Sequence, residues 1–580
     1  MRIPLLALLG IFWVPVTSVP MKLPVIVVTP VNDSSIWIPP EGFPEMRLLA
    51  MVVLGEPGEE VRTPRVLPTA ARPEGPIANF KVQQLGGYVQ DRWAATPRLS
   101  LTLALRADIP VQKAPTLNQT LLDTLGINTG DFPSGNILWS PRLGFNYDLS
   151  GDGLTRLRGG AGIFSGRPPY VWLSNAYGNT GREQATLICD GATSGATTDT
   201  VPAFTTDPAA QPNHCGVGGA GVSAAAASVV YFDPTFKFPQ NLKLSLGMDH
   251  QLPFGIVGTF DFLYTKSVNQ FYLSDVNLQG VQGTVSGEAG RILYGTINLA
   301  TGATAPVRKS TAFRDVIRHR NEGQDRAFQI TGQLEKRFSN HMQFIVGYTY
   351  SHVEDLFTLT SSIASSNYRF TTLDGTIESR NLRRSAFDIP HKISVTGVFA
   401  LPATFELSLV YVGQSGSPYA WVTQNDVNGD GFGGNDPVYV PRDNNDISLV
   451  VPGDTVALNT IINSEDCLKS ARGSLIKRNS CRNPWINILN ARITKVLPSI
   501  SGHRIELSAD IFNLLHLMNH DWGVIRSTSD FEEANLLNPG GFDVVNQRYR
   551  YRLAFSPSQL KRPSATAQQW RVQLGMKYLF

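Results

Sequence analysis

The stretch QQWRVQLGMKYLF, Gln568–Phe580, closes the chain and decides how the rest is read. Trp570, Val572, Leu574, Met576, Tyr578 and Phe580 fall on one parity; Arg571, Gln573, Gly575, Lys577 and Leu579 fall on the other. A period of two is the signature of a strand, because successive side chains leave a pleated backbone on opposite faces. One face is aromatic and aliphatic, and the other carries two cations and an amide. A soluble sandwich can produce this alternation, and so can a lipid-facing strand of a membrane barrel with a polar lumen.

The same period recurs upstream. Leu99, Leu101, Leu103 and Leu105 alternate with Ser100, Thr102, Ala104 and Arg106, and Leu242, Leu244, Leu246 and Met248 with Lys243, Ser245, Gly247 and Asp249. Phe328, Ile330 and Leu334, then Phe344, Val346, Tyr348 and Tyr350, continue it, as do Phe405, Leu407, Leu409 and Tyr411, and Ile505, Leu507, Ala509 and Ile511. The connections separate the two readings. Ala94–Arg98, Ser150–Gly153, Leu252–Gly255, Ser339–His341, Pro402–Ala403 and Leu497–Gly502 are tight turns, whereas 110–138, 165–236, 268–324, 353–388, 414–484 and 516–567 are long polar stretches. Soluble domains rarely carry several structureless connections beyond ~15 residues. Short turn, long loop, repeated, is the layout of an outer-membrane barrel. The fold expected is all-β, an antiparallel transmembrane β-barrel with short periplasmic turns and long extracellular loops.

Composition agrees. Charged residues make up 17% of the 580, the hydrophobic fraction is 42%, and mean hydropathy is −0.08. Beyond the N-terminus no run reaches the ~18 apolar residues of a membrane helix. A net charge of +3 without a basic cluster argues against nucleic acid as a partner. Counting back from an inward-running last strand gives about thirteen strands of ~10 residues each. The first of them also runs inward, so the even strand number of bacterial barrels predicts a larger barrel, or further strands from residues 1–79. That segment has thirteen prolines. Its apolar Leu5–Val14 after Arg2 reads as a signal peptide or as a misassigned start. The organisation expected is an atypical 1–79 followed by barrel over 80–580.

Several stretches are more specific than a pattern. GGYVQDRWAATPRLSLTLALRADIP (86–110) resembles a hairpin of TonB-dependent outer-membrane receptors, in particular their Oar-like branch. SPRLGFNYDL (140–149), RLRGGAGIFSGRPPYVWLSNAYGNTG (156–181), DVNGDGFGGNDPVYVPRD (426–443), IELSADIFNLLH (505–516) and the aromatic C-terminus are similar to the same branch. The resemblance covers roughly residues 80–580. It implies a barrel in the outer membrane of a Gram-negative bacterium, in contact with outer-membrane lipid, and a terminal strand (Trp570, Tyr578, Phe580) read by the barrel-insertion machinery. It also implies energised uptake of a nutrient; TonB is a partner only through an upstream plug and TonB box, of which residues 1–79 show no counterpart. A non-transporting surface protein that binds partners through its loops is the alternative, and a secreted β-rich binding protein a third reading.

Candidate sites follow. Asp426, Asn428 and Asp430, with Gly431 and the Phe432 carbonyl, match the opening of an oxygen-donor calcium loop. Pro437 stands where its closing Glu belongs, with Asp436 one residue early, so an Asx-rich turn without metal is the competing reading. Apart from that calcium ion, no cofactor is expected. Arg167, Tyr170, Trp172, Tyr177 and Arg182 can meet an anionic or sugar-like ligand at the barrel mouth. The bland alternative pairs such arginines, Arg156 and Arg158 among them, with Asp108, Asp249, Glu335 or Glu506. Of the three pairings four cysteines permit, Cys189 with Cys215 and Cys467 with Cys481 are expected as disulfides in an oxidising compartment, restraining loops with too few apolar residues to hold themselves; four free thiols are the bland alternative. The nine histidines form no HExxH pair, and P-loop and GxSxG motifs are missing, so no enzyme is expected.

Overall fold

Alternation becomes pairing in a computed structural model, which describes residues 65–68, 78–166, 169–187, 226–338, 342–497, 503–529, 532–564 and 569–579. Thirteen strands pair in chain order, each antiparallel to the last. They are β1 Val82–Thr96, β2 Leu99–Gln112, β3 Leu138–Asp148, β4 Thr155–Ser165, β5 Gln240–Leu252, β6 Ile256–Asp275 and β7 Arg326–Arg337, then β8 Gln343–Asp355, β9 His391–Leu401, β10 Phe405–Gln414, β11 Ile486–Val496, β12 Arg504–Phe512 and β13 Arg571–Leu579. Every odd-to-even connection is short and every even-to-odd one long, as the sequence predicts. Among the described residues the sheet is open, with β1 and β13 as its edges. No described helix is long and apolar enough to cross a membrane.

The short turns have local causes. Between β3 and β4, Asp148 accepts from the amides of Gly151 (2.8 Å) and Gly153 (3.1 Å). Both glycines sit at positive φ, 81° and 78°, where a side chain is strained. Register then fixes which residues share a face. Leu246 lies opposite Phe262, Phe262 opposite Ile330, and Ile330 opposite Tyr350, an apolar row across four strands. Leu574 and Met576 on β13 are 78% and 74% exposed. So continuous an apolar face needs an apolar solvent. The opposite face is polar, with Gln329, Thr331, Gln333 and Glu335 on β7. Its charges pair as expected of a lumen: Arg158 bonds to Asp249 and to Asp261 (2.7 Å), and Arg492 lies 3.5 Å from Asp510.

The long connections correct one expectation. They are not too poor in apolar residues to hold themselves, because different loops pool what each has. Val285, Trp421, Val438, Leu458, Ile461, Leu537 and Tyr549 form one buried cluster drawn from three loops. Around it a five-stranded sheet orders Ser448–Leu449, Arg548–Leu553, Glu533–Asp543, Pro418–Thr423 and Cys481–Arg482. Each large side chain so buried contributes roughly 1.5–3 kcal/mol. The Cys467–Cys481 disulfide, Cα–Cα 5.2 Å, joins this core, with Cys481 only 1% exposed. A second cluster packs Tyr272, Leu356 and Tyr368, and a third Tyr177, Phe232 and Phe271. The loops thus form a folded cap at one end of the sheet. Cys189, Cys215, Arg167, Phe580 and nearly all of 1–79 lie outside the described residues.

Candidate functional site

Where the cap meets the polar face there is a cavity of about 320 Å³. Thr265 of β6, Ala327 of β7 and Val353 of β8 lie side by side in register and line it. Trp172, Phe357, Leu359 and Phe387 supply its apolar walls, and Asp325, Glu354 and Asp355 its carboxylates. Arg326 pairs with Glu354 at 2.7 Å. Asp325 accepts from the Leu356 amide at 3.0 Å; burial, and then the Asp355 charge beside it, push its pKa up to about 7. An aromatic wall beside carboxyl groups can take an amphipathic ligand with hydrogen-bonding groups.

Arg478 fixes the outer end of β8 beneath this cavity. Its Nη2 donates to Asp355 at 2.7 Å, and Nη1 lies 3.2 Å from Glu532. Thr358 (3.0 Å) and Asn479 (2.7 Å) also donate to Glu532. The guanidinium is 1% exposed, so one buried cation ties the barrel wall to a distant loop. Burial raises the Glu532 carboxyl, and burial together with Glu532 lifts neighbouring Glu533 to about 9.

The loop Asp426–Asp436 is the second constellation. Asp426 accepts from the amides of Asn428 (3.1 Å), Gly429 (2.6 Å) and Gly431 (2.9 Å). Asn428 accepts from the Asp430 amide (2.7 Å), and Asp430 from that of Phe432 (2.9 Å). Asp436 folds back to accept from the Val427 amide at 2.9 Å. Asp430, Asn435 and Asp436 are each 0% exposed. Burial, reinforced by Asp426, raises the Asp430 carboxyl to about 7; burial, Asp426 and Asp430 together push Asp436 well up.

The aromatic residues expected at the mouth divide. Trp172 lines the cavity, stacks edge-on against Phe271 at 4.5 Å and donates its indole N–H to the Ser361 carbonyl at 2.8 Å. Tyr177 is 4% exposed and stacked on Phe80 at 4.5 Å, with its hydroxyl donating to the Lys113 carbonyl. Tyr170 packs against the same cluster, and Arg182 reaches the Leu117 carbonyl at 3.0 Å. The chain does bring Trp172 to the cavity, but Tyr170 and Tyr177 anchor the helix that carries it. Asp325, Asp355, Arg478 and Glu532 carry no local signal, since over a hundred residues separate Asp355 from Arg478. Asp436 had one: an acid one place early in the calcium pattern.

The sequence pattern described as an outer membrane beta barrel domain matches residues 49–522. No curated protein sequence matches the chain. Among solved structures it is similar to the outer membrane transporter YddB from Escherichia coli, at 12% identity and TM-score 0.42, covering 75% of this chain and 41% of that one. A ferric enterobactin receptor (PfeA) mutant from Pseudomonas aeruginosa matches at 10% identity and TM-score 0.40, covering 89% and 50%. The FrpB iron transporter from Neisseria meningitidis matches at 9% and 0.40, covering 87% and 46%. The chain spans half or less of the length of these proteins.

Proposed function

Because this chain belongs to the outer membrane beta barrel domain family, placing it in the Gram-negative outer membrane, we propose that it is the barrel portion of a receptor of the TonB-dependent, Oar-like kind that captures a nutrient at its outer end. The observation that carries this reading is the cavity at the junction of cap and polar face, walled by Trp172 and Phe387 and floored by Asp325 and Asp355. A ligand caught there has the polar face directly beneath it. In this reading TonB is a partner only if an upstream plug and TonB box exist.

The folded cap supports a second reading, a surface protein that binds partners without transport, because a cap with its own core presents a fixed surface. A deletion strain separates the two. On sole-nutrient panels, uptake reading predicts growth loss on one nutrient class, restored by the parent gene and not by Trp172→Ala with Phe387→Ala. Normal growth throughout, with lost surface adhesion, would overturn uptake in favour of the second reading.

A further inference from the structure

We propose that the polar face of β1–β5 binds a small dianion, a dicarboxylate or a phosphate ester, with Arg92, Arg142 and Lys243 as the cations that hold it. The site stands apart from the uptake reading, since a barrel that transports nothing would carry it equally. Two rows of register partners build it. Arg92, Thr102, Gly144, Gly160 and Ser245 lie side by side across the five strands; in the next row outward come Ala104, Arg142, Gly162 and Lys243. Lys243 is in turn the partner of Thr265, which lines the cavity under the cap, so the two sites adjoin. Glycine at 144, 160 and 162 leaves bare backbone where three side chains would otherwise stand. Over the first row a second cavity opens, about 440 Å³, lined by Arg92, Thr102, Gly144, Asn146 and Ser245.

The charges call for a ligand. Other cations on this face are paired, Arg106 with Asp108 (2.6 Å) and Arg158 with Asp249 and Asp261 (2.7 Å to the latter). Asp261 is the one acid lining the cavity, and Arg158 holds it. Among the described residues Arg92, Arg142 and Lys243 have no carboxylate partner. Arg142 lies across Gly162, where a Cβ would stand 3.0 Å from its Cγ; glycine there lets the stem lean toward Lys243. Phe164, two residues along β4, gathers both cations: its ring centre is 4.5 Å from Arg142 Cζ and 5.9 Å from Lys243 Nζ. Arg142 Nε is buried and donates to nothing. Like charges drawn to one ring repel, and a buried donor without an acceptor is costly. An anion between them relieves both. Arg142 and Lys243 stand two strands apart, about 10 Å between Cα atoms, so they bracket one acidic group. The planar fork of Arg takes two of its oxygens and Lys a third as a point charge. Arg92, one row inward, is placed for a second negative charge, and the Thr102 and Ser245 hydroxyls lie between.

The test uses the full chain purified from outer membranes in detergent, titrated calorimetrically at low salt with sodium succinate, sodium phosphate and sodium acetate in turn. At least one dianion should saturate a single site, more tightly than acetate and less so as sodium chloride is added. Whichever dianion binds tighter tells carboxylate from phosphate. Arg142→Gln and Lys243→Gln should each weaken binding about tenfold, the loss of one charge-assisted hydrogen bond, and without anion should be as stable as the parent. Arg492→Gln removes a cation of the same face already paired with Asp510 (3.5 Å) and should bind as the parent does. Gly144→Leu separates shape from charge. A Cβ there meets only Gly159 O at 3.7 Å and Thr102 Cβ at 3.9 Å, so the backbone tolerates it, while the longer side chain fills the cavity and should abolish binding with every cation in place. No saturable dianion site in the parent would overturn the proposal, as when an acidic stretch of chain already covers the cations. So would acetate binding as tightly as either dianion, unchanged binding in Arg142→Gln, Lys243→Gln or Gly144→Leu, or an equal loss in Arg492→Gln, the behaviour of diffuse lumen charge.

Discussion

Replacing Arg478 with Met should loosen the cap from the barrel. The side chain is 1% exposed and holds Asp355 at the end of β8 and Glu532 in the last long loop, at 2.7 and 3.2 Å. Met fills much of the volume, so the loss is electrostatic. Removing one partner of a buried pair costs about 3–5 kcal/mol, because the other charge stays buried. Proton uptake by Glu532, already pushed up by burial, limits the damage toward the lower figure. About 3 kcal/mol corresponds to roughly a hundredfold rise in the opening equilibrium. Hydrogen exchange reads it locally: the Ala420 amide, which donates to the Glu532 carbonyl at 2.8 Å, should exchange about a hundredfold faster, while β9 and β10 stay protected. Adding Glu532→Gln should recover part of the loss by removing the stranded charge. Ala420 exchange within threefold of the parent, or a double variant no better than the single, would refute the reasoning.

Three further outcomes are expected. Cys481→Ser, which opens a loop closed across 14 residues, should cost the cap about 3 kcal/mol on the chain-entropy account and leave heat-modifiable barrel mobility on gels unchanged; lost barrel mobility would contradict it. Deleting Phe580 should lower outer-membrane abundance and raise periplasmic degradation, whereas unchanged abundance in fractionated cells would remove its assembly role. The cap should weaken as pH rises from 6 to 9. Asp325 and Glu533 have folded pKa values raised from 3.8 and 4.5 to about 7 and about 9, so their stabilising contribution, complete below the unfolded values, is lost as pH climbs through the folded ones. His319, buried against Phe232 and lowered to about 3, acts oppositely below its unfolded 6.5. A thermal midpoint that rises between pH 6 and 9 would show the carboxylates are not held protonated.

The barrel wall was legible because its physics is local. Parity in Leu242–Met248 or Ile505–Ile511 fixes a face within one strand, and Pro402 or Gly153 fixes the next turn. The cap was not legible, since its pairings join distant segments. Ala227–Phe232 runs parallel to Phe313–His319, and Pro418–Thr423 parallel to Glu533–Leu537. No hairpin signal announces a parallel pair, and Trp421 or Tyr549 looks like an isolated apolar residue until loops from elsewhere surround it. The candidate site divides likewise. Asp426, Asn428 and Asp430 are a contiguous motif, whereas Trp172, Asp325, Asp355 and Arg478 meet only through the fold.

The short turns should face the periplasm and the folded loops should face outward, across an apolar-faced wall. Phe254 in the β5–β6 turn is 87% exposed, and Val545 in the cap is 91% exposed. Each is changed singly to cysteine, and intact cells are treated with a membrane-impermeant maleimide, with the parent chain as background. Val545→Cys should label on intact cells, and Phe254→Cys only after the outer membrane is permeabilised. Labelling of Phe254→Cys on intact cells, or protection of Val545→Cys, would contradict the account.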